Sequence, residues 1–191
     1  MNNSSRRSFL KTGTLGTAAL GGIMLPGNGE SQQFTRVAYR DLGATGIKVS
    51  EVGFGAMNTR NADLIHAAID AGINYIDIAH GYMRGENERI VGTVMKTKRD
   101  KVVLVTKVHA KDKSASELRG MIETSLERLD VDHVDILFMH MPPTPEEMLN
   151  ETHMRVLEKA RDDGLCRWVG VSTHKNQADI LNAAVDNKSL F

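Results

Sequence analysis

Four polar side chains with complementary proton chemistry stand at the ends of apolar runs. Asp77 lies within Tyr75-Ile76-Asp77-Ile78, and Tyr82 follows it by five residues. Lys107 follows the run 102–106, and His140 follows the run 134–139. A phenol keeps its proton at neutral pH and can donate it. An ammonium beside the phenol stabilises the phenolate and makes it a better acid. Asp77 can pair with Lys107 and hold it in place, and an imidazole at His140 can donate or accept at the same oxygen and orient a substrate. Together these groups deliver a proton to a carbonyl oxygen. Such chemistry needs a nucleophile, and no side chain in the sequence has an evident activating base, so hydride from a nicotinamide fits the gap. Singly, each residue has a plainer reading: Asp77 as a loop cap, Lys107 as a solvated cation, His140 beside Pro142-Pro143 as an ordinary loop histidine. Their shared place at the ends of consecutive strands argues for a common task.

The elements that would carry them alternate. A hairpin is predicted over 37–42 and 47–50, with Gly43 and Gly46 in its turn. Strands are then predicted at 52–55, 75–78, 102–106, 134–139 and 167–172, and helices at 62–71, 86–96, 154–163 and 178–185. A further helix follows Ser114, which with Glu117 forms a capping box ahead of Leu118, Met121, Ile122, Leu126 and Leu129. On the first and last helices, Leu64, Ile65, Ala68 and Ile69, and Ile180, Leu181, Ala184 and Val185, are expected to face the core. The strand spacing is that of βαβ units, about 30 residues or more, so the sheet is parallel. Gly53-Phe54-Gly55-Ala56-Met57-Asn58 lacks the third glycine of a dinucleotide fingerprint, which disfavours a Rossmann fold. The expected fold class is α/β, a (β/α)8 TIM barrel. At 191 residues against about 250 for a complete barrel, it is expected to be incomplete, with about five of eight βα units.

Several segments together resemble the aldo-keto reductase family. They are Tyr39-Arg40-Asp41-Leu42-Gly43 with Gly46 and Gly53-Phe54-Gly55, then Ala71-Gly72-Ile73-Asn74-Tyr75-Ile76-Asp77-Ile78-Ala79 leading to Gly81-Tyr82. Glu86, Glu88 and Val91-Gly92 follow, then Thr106-Lys107, Ser125-Leu126 with Arg128-Leu129, 134–140, and Trp168-Val169-Gly170-Val171-Ser172. The resemblance covers about residues 36–191. It implies Asp77, Tyr82, Lys107 and His140 as the catalytic tetrad, with Tyr82 as proton donor. It also implies NADP(H), with NAD possible, lying across the barrel mouth against Gly55, Ala56, Met57 and Asp77, with Ser172 and Thr173 near the nicotinamide amide. Many members have Ser-Asn where this chain has Ser172-Thr173-His174. The function implied is that of a carbonyl reductase or alcohol dehydrogenase acting on a small carbonyl or alcohol substrate. The alternative is a truncated, catalytically inactive relative or a cofactor-binding module.

Composition fits a globular protein: 24 Lys+Arg balance 24 Asp+Glu, with 41% hydrophobic and 25% charged residues. That leaves no electrostatic footprint for nucleic acid. The single cysteine, Cys166, precedes an apolar run and reads as a small hydrophobe, and the ten methionines read as core. Residues 1–30 form a separate segment. Ser5-Arg6-Arg7-Ser8-Phe9-Leu10-Lys11 ahead of a Gly/Ala/Thr/Leu run resembles a twin-arginine signal peptide. Gly13, Gly16, Gly21 and Gly22 interrupt that run, against a membrane anchor. The expectation is recognition by the twin-arginine export machinery, with delivery to the periplasm or another extracytoplasmic space and no membrane span after processing. His80 and His109 could join His140 as metal ligands, but the first strand lacks a paired-histidine motif, and no metal is expected.

Overall fold

The computed structural model describes residues 37–187; the twin-arginine segment lies outside the described residues. Among the described residues seven strands and six α-helices follow one another. β1 (Tyr39–Asp41) and β2 (Lys48–Ser50) form an antiparallel hairpin. β3 (Phe54–Gly55), β4 (Tyr75–Asp77), β5 (Val103–Val108), β6 (Val134–His140) and β7 (Cys166–Ser172) form one parallel sheet in chain order. α1 (Ala62–Asp70), α2 (Glu86–Lys98), α3 (Ala115–Leu129) and α5 (Glu151–Asp162) cross between successive strands, and α6 (Gln177–Asp186) follows the last. This is the wall of a (β/α)8 barrel, five units of it among the described residues.

The strand side chains sort by the two-residue period of a pleated strand. Leu104 and Val108 of β5, Leu137 and Met139 of β6, Ile76 of β4 and Val169 of β7 face the helices and join one large cluster with Ile65, Val91, Leu118, Ile122 and Leu157. Their alternates, Val103 and Val105 with Ile136, Tyr75 and Phe138, form a second, smaller cluster on the barrel-interior side. Every residue of β5 is buried, as a strand covered on both faces requires. The hairpin closes the lower end of that interior. Ile47 and Val49 pack into the inner cluster. Asn74, just ahead of β4, accepts the Ser50 N–H at 2.7 Å and donates to the Lys48 carbonyl at 2.9 Å.

Local chemistry explains the boundaries. Ser114 and Glu117 make the capping box of α3 in both directions. Asn61 caps α1, and Gly72, at φ 100°, follows it in a conformation that favours glycine. Gly92 allows α2 and α3 to approach, because a Cβ there would meet the Arg128 carbonyl at 2.6 Å.

Some expectations need correction. The first strand is only Phe54–Gly55, with Val52 exposed. A single turn, α4 (Pro145–Met148), capped by Thr144 with proline in its first turn, precedes α5, and α5 itself starts three residues earlier than predicted at Glu151 under an Asn150 cap. Leu64, Leu181 and Val185 are exposed, so the buried stripes of α1 and α6 reduce to Ile65 and Ile69, and to Ile180 and Ala184. Met57 and Met141 are also exposed, unlike the buried Met95, Met139 and Met148.

Candidate active site

The inward-facing columns of the sheet end, at the C-terminal edge, in Asp77, Lys107, His140 and Ser172. Register places them. Asp77 pairs with Val105, two residues before Lys107, while Lys107 pairs with Phe138, two residues before His140, and His140 pairs directly with Ser172. A two-residue step keeps the face, so the sequence order of the strands becomes a ring of side chains at one rim.

Lys107 is the hub. Its side chain is 6% exposed, and its ammonium spends its donors on the Asp77 carboxylate, on the Ile78 carbonyl at 2.7 Å and on the Tyr82 hydroxyl at 3.4 Å. The same nitrogen lies 4.9 Å from the Tyr82 ring centroid. A buried ammonium needs such company, since desolvation penalises an unpaired charge heavily. The phenol thus meets a fixed positive charge that is held by a carboxylate.

Tyr82 opens a tight turn over Tyr82–Gly85 in which Met83 (φ 51°), Arg84 (φ 57°) and Gly85 (φ 89°) are all left-handed. Consecutive non-glycine residues in this region are rare and cluster at functional sites. The Tyr82 and His140 rings meet edge to face, with centroids 6.1 Å apart.

His140 is 8% exposed. Its Nδ1 lies 2.8 Å from Ser172 Oγ, and the His109 ring packs on it at 4.5 Å between centroids. Burial first, and then the nearby charges of His109, Lys107 and His174, push its pKa down to about 4. The imidazole is therefore neutral at ordinary pH. In the tautomer in which Ser172 donates to Nδ1, the proton is on Nε2 and can be donated to an oxygen in the mouth.

The residues expected to line the mouth divide. Gly55 and Met57 are exposed, and Ser172 is half-buried. Ala56 departs from the expectation: it is fully buried, its N–H donates to the Asp77 carbonyl at 2.9 Å, and its carbonyl accepts from Asn87 Nδ2 at 2.7 Å. Both backbone groups are committed to the fold. The Thr173 hydroxyl is tied into a local turn, donating to the Lys175 carbonyl at 2.7 Å. His80 does not join His140: its Nδ1 lies 3.0 Å from Ser125 Oγ on α3. Among the described residues no group of three or more His, Cys, Asp or Glu side chains could hold a metal ion. Burial pushes the Cys166 thiol up to about 11, in keeping with a packing role.

Sequence reasoning grouped His109 with His140 only as a possible metal ligand, where the structure shows ring packing, and it missed the burial of Asn87 and Glu88 at the start of α2. Histidine two residues beyond Lys107, and consecutive Asn-Glu where a helix should present an apolar face, were the available signals.

Comparison with known proteins gives the family of the chain. The profile of the Aldo/keto reductase family matches residues 50–189. The chain belongs to that family. It is 36% identical over 177 residues to the 6-dehydroglucose reductase of Novosphingobium aromaticivorans, a match covering 79% of this chain and 57% of that protein. Among solved structures, a holo-form aldo-keto reductase from Bacillus halodurans superposes with a TM-score of 0.70 at 27% identity, over 81% of this chain and 55% of that one. An aldo-keto reductase from Klebsiella pneumoniae in complex with NADPH gives a TM-score of 0.63 at 27% identity, over 74% of this chain and 51% of that one. The chain spans about half the length of the curated relatives it matches.

Proposed function

We propose that this chain carries the catalytic half of an NADP(H)-dependent carbonyl reductase, with Tyr82 as the proton donor. The observation that carries the reading is Lys107, whose one ammonium joins the Asp77 carboxylate to the Tyr82 hydroxyl. The rim also fits a nicotinamide. At Gly55 and Gly81 no atom lies within 4 Å of where a Cβ would stand, so the backbone offers open ledges beside the tetrad. Gly55, Met57, Asp77, Ser172 and the Thr173 backbone are the residues that would hold the nicotinamide. When bound there, the nicotinamide would supply the hydride for the carbonyl carbon.

The chain's own groups handle the oxygen. Tyr82 passes its hydroxyl proton to the carbonyl oxygen as the C–H bond forms, leaving an alcohol and a phenolate. Lys107 stabilises that phenolate, and Asp77 keeps the ammonium in place while doing so. Neutral His140 donates from Nε2 to the same oxygen and fixes the carbonyl in line with the phenol. In the reverse direction the phenolate accepts the alcohol proton. The substrate class is a small aldehyde, ketone or the corresponding alcohol.

The twin-arginine segment adds a location to this reading. Ser5-Arg6-Arg7-Ser8-Phe9-Leu10-Lys11 supports export of the folded, cofactor-loaded protein by the twin-arginine machinery to the periplasm or another extracytoplasmic space.

Tyr82→Phe tests the chemistry. With NADPH and 4-nitrobenzaldehyde as probes, the variant should bind NADPH as the parent does, by fluorescence titration, while reduction falls about 10²-fold or more. A variant within about tenfold of the parent would remove Tyr82 from its role. Tight NADPH binding by a parent that reduces nothing would mark a cofactor-binding module instead.

A further inference from the structure

Glu88, Ser125 and Arg128 belong to segments that mark the sequence, yet the proposed chemistry uses none of them. They converge, from the helix side of the sheet, on the segment that delivers Tyr82. His80, two residues before Tyr82, is gripped at three points. Its N–H donates to the Lys107 carbonyl at 2.9 Å, its ring Nδ1 lies 3.0 Å from Ser125 Oγ, and its carbonyl accepts from Arg128 Nη1 at 3.2 Å. Arg128 Nη1 also donates to Glu88 Oε2 at 3.2 Å, and Glu88 Oε1 accepts from Thr106 Oγ1 at 2.8 Å. Glu88 and Ser125 are fully buried. The far end of the turn meets the same guanidinium: a Cβ on Gly85 would collide with the Arg128 side chain.

The arrangement is a bracket. Glu88 holds β5 at Thr106, the residue before Lys107. Arg128 bonds the His80 carbonyl ahead of the turn that presents Tyr82 and packs against Gly85 at its far end. Thr106 and Lys107 point to opposite faces of one strand, so a bridge of side chains behind the sheet fixes a separation in front of it. The turn needs this help, because Met83 and Arg84 are left-handed without being glycine and would relax if released. Stability alone does not account for the pair, since a buried ion pair is often matched by apolar residues of similar volume.

We propose that Glu88, Arg128 and Ser125 are positioning residues that set the Tyr82 hydroxyl against Lys107 by clamping His80 and the left-handed turn. The proposal rests on the reading of Tyr82 as proton donor, and its test separates the two. Arg128→Met alone would strand the Glu88 charge, so the main variant is the double change E88Q/R128M in the full chain, which removes both charges together. Two readouts apply. With tyrosines labelled at the ring ¹³C, the Tyr82 resonance, assigned by Tyr82→Phe, should move in the double variant while those of Tyr39 and Tyr75 stay in place. With NADPH and 4-nitrobenzaldehyde, kcat should fall about 10²-fold at nearly unchanged KM and NADPH affinity, as expected for a misplaced catalytic group. R128K, which keeps the charge but not the planar guanidinium that packs against Gly85, should fall between, and S125A should show a smaller loss of the same kind. An unmoved Tyr82 resonance, or a kcat within threefold of the parent, overturns the proposal. A moved resonance in a protein whose parent reduces nothing supports the clamp and rejects the reductase reading instead.

Discussion

The Lys107 ammonium approaches Tyr82 from the side, 3.4 Å from the hydroxyl and 4.9 Å from the ring centroid. One cation therefore acts on both the acidic oxygen and the π face, and a shift of the lysine by an ångström would weaken both contacts. Lys107 is a strand residue whose backbone pairs with Phe138 of β6 and accepts the His80 N–H at 2.9 Å, so its position is set by the sheet together with the segment that leads to Tyr82.

Lys107→Met keeps most of the side-chain volume and removes the charge. Carbonyl reduction should drop by about 10²-fold or more, the usual size for loss of one preorganised electrostatic group. Asp77→Asn should cost less, because the ammonium keeps its Ile78 carbonyl partner. Transient kinetics of NADPH oxidation check both. Equal losses for the two, or none for Lys107→Met, would show that the ammonium does not assist Tyr82.

Legibility in the sequence followed burial and local chemistry. The run 102–106 is apolar enough to announce a doubly covered strand, and Ser114 with Glu117 announces α3, because both signals are local. Asp77, Lys107 and His140 were legible as residues at strand ends, and Tyr82 as a residue of the loop after Asp77, for the same reason. The face of a short helix was less legible: Leu64 sits beside Ile65 on α1, and only the neighbour it meets decides which is buried. Ala56 was misplaced because a buried, fully hydrogen-bonded alanine looks like any loop alanine. The clamp on His80 joins residues more than 40 positions apart, a distance at which one sequence carries no pairing information. Nor does any residue type announce Met83 and Arg84 as left-handed.

Asp135 stands at the opposite end of the sheet and should govern stability. It is buried, and its carboxylate accepts the Leu104 N–H at 2.9 Å while pairing with Arg99 at 2.9 Å and Arg167 at 3.1 Å. Asp135→Ala orphans a buried strand N–H and leaves two guanidiniums without their counter-charge. The loss should be about 1–3 kcal/mol in urea unfolding. A change under about 0.5 kcal/mol, typical of a surface site, would show that this bracket is dispensable.

The proposed twin-arginine export should depend on the paired guanidiniums of Arg6 and Arg7. Replacing Arg6 and Arg7 by lysine keeps the charge but loses the planar forked donor. In a host with the twin-arginine machinery, the double variant should stay in the cytoplasmic fraction while the parent reaches the periplasm. Unchanged delivery of the variant would assign the leader to another route.

Stability should fall on mild acidification, before the carboxylates titrate. His140 has a pKa of about 4 in the fold against 6.5 as its ordinary value, chiefly through burial, with the charges of His109, Lys107 and His174 adding to it. His80 is shifted the same way, also chiefly by burial, although Glu88 opposes the shift. Between these limits the unfolded chain binds protons that the folded one excludes, so stability rises with pH across the window. The histidine contribution is complete above about pH 6.5 and is lost as pH falls toward 4. Asp70, Glu117, Glu146 and Asp163 have pKa values held below the ordinary carboxylate range, so their contribution is lost only at lower pH. The interval from pH 6.5 to 5 therefore isolates the histidines. Urea midpoints should decline across it, and His140→Asn should flatten the decline, since asparagine leaves no proton to exclude. Proton NMR of the imidazoles gives the direct check: His140 should still be neutral at pH 5. A native His140 that titrates near 6.5, or a His140→Asn variant with an undiminished decline, would show that the buried imidazole is not the acid-sensitive group.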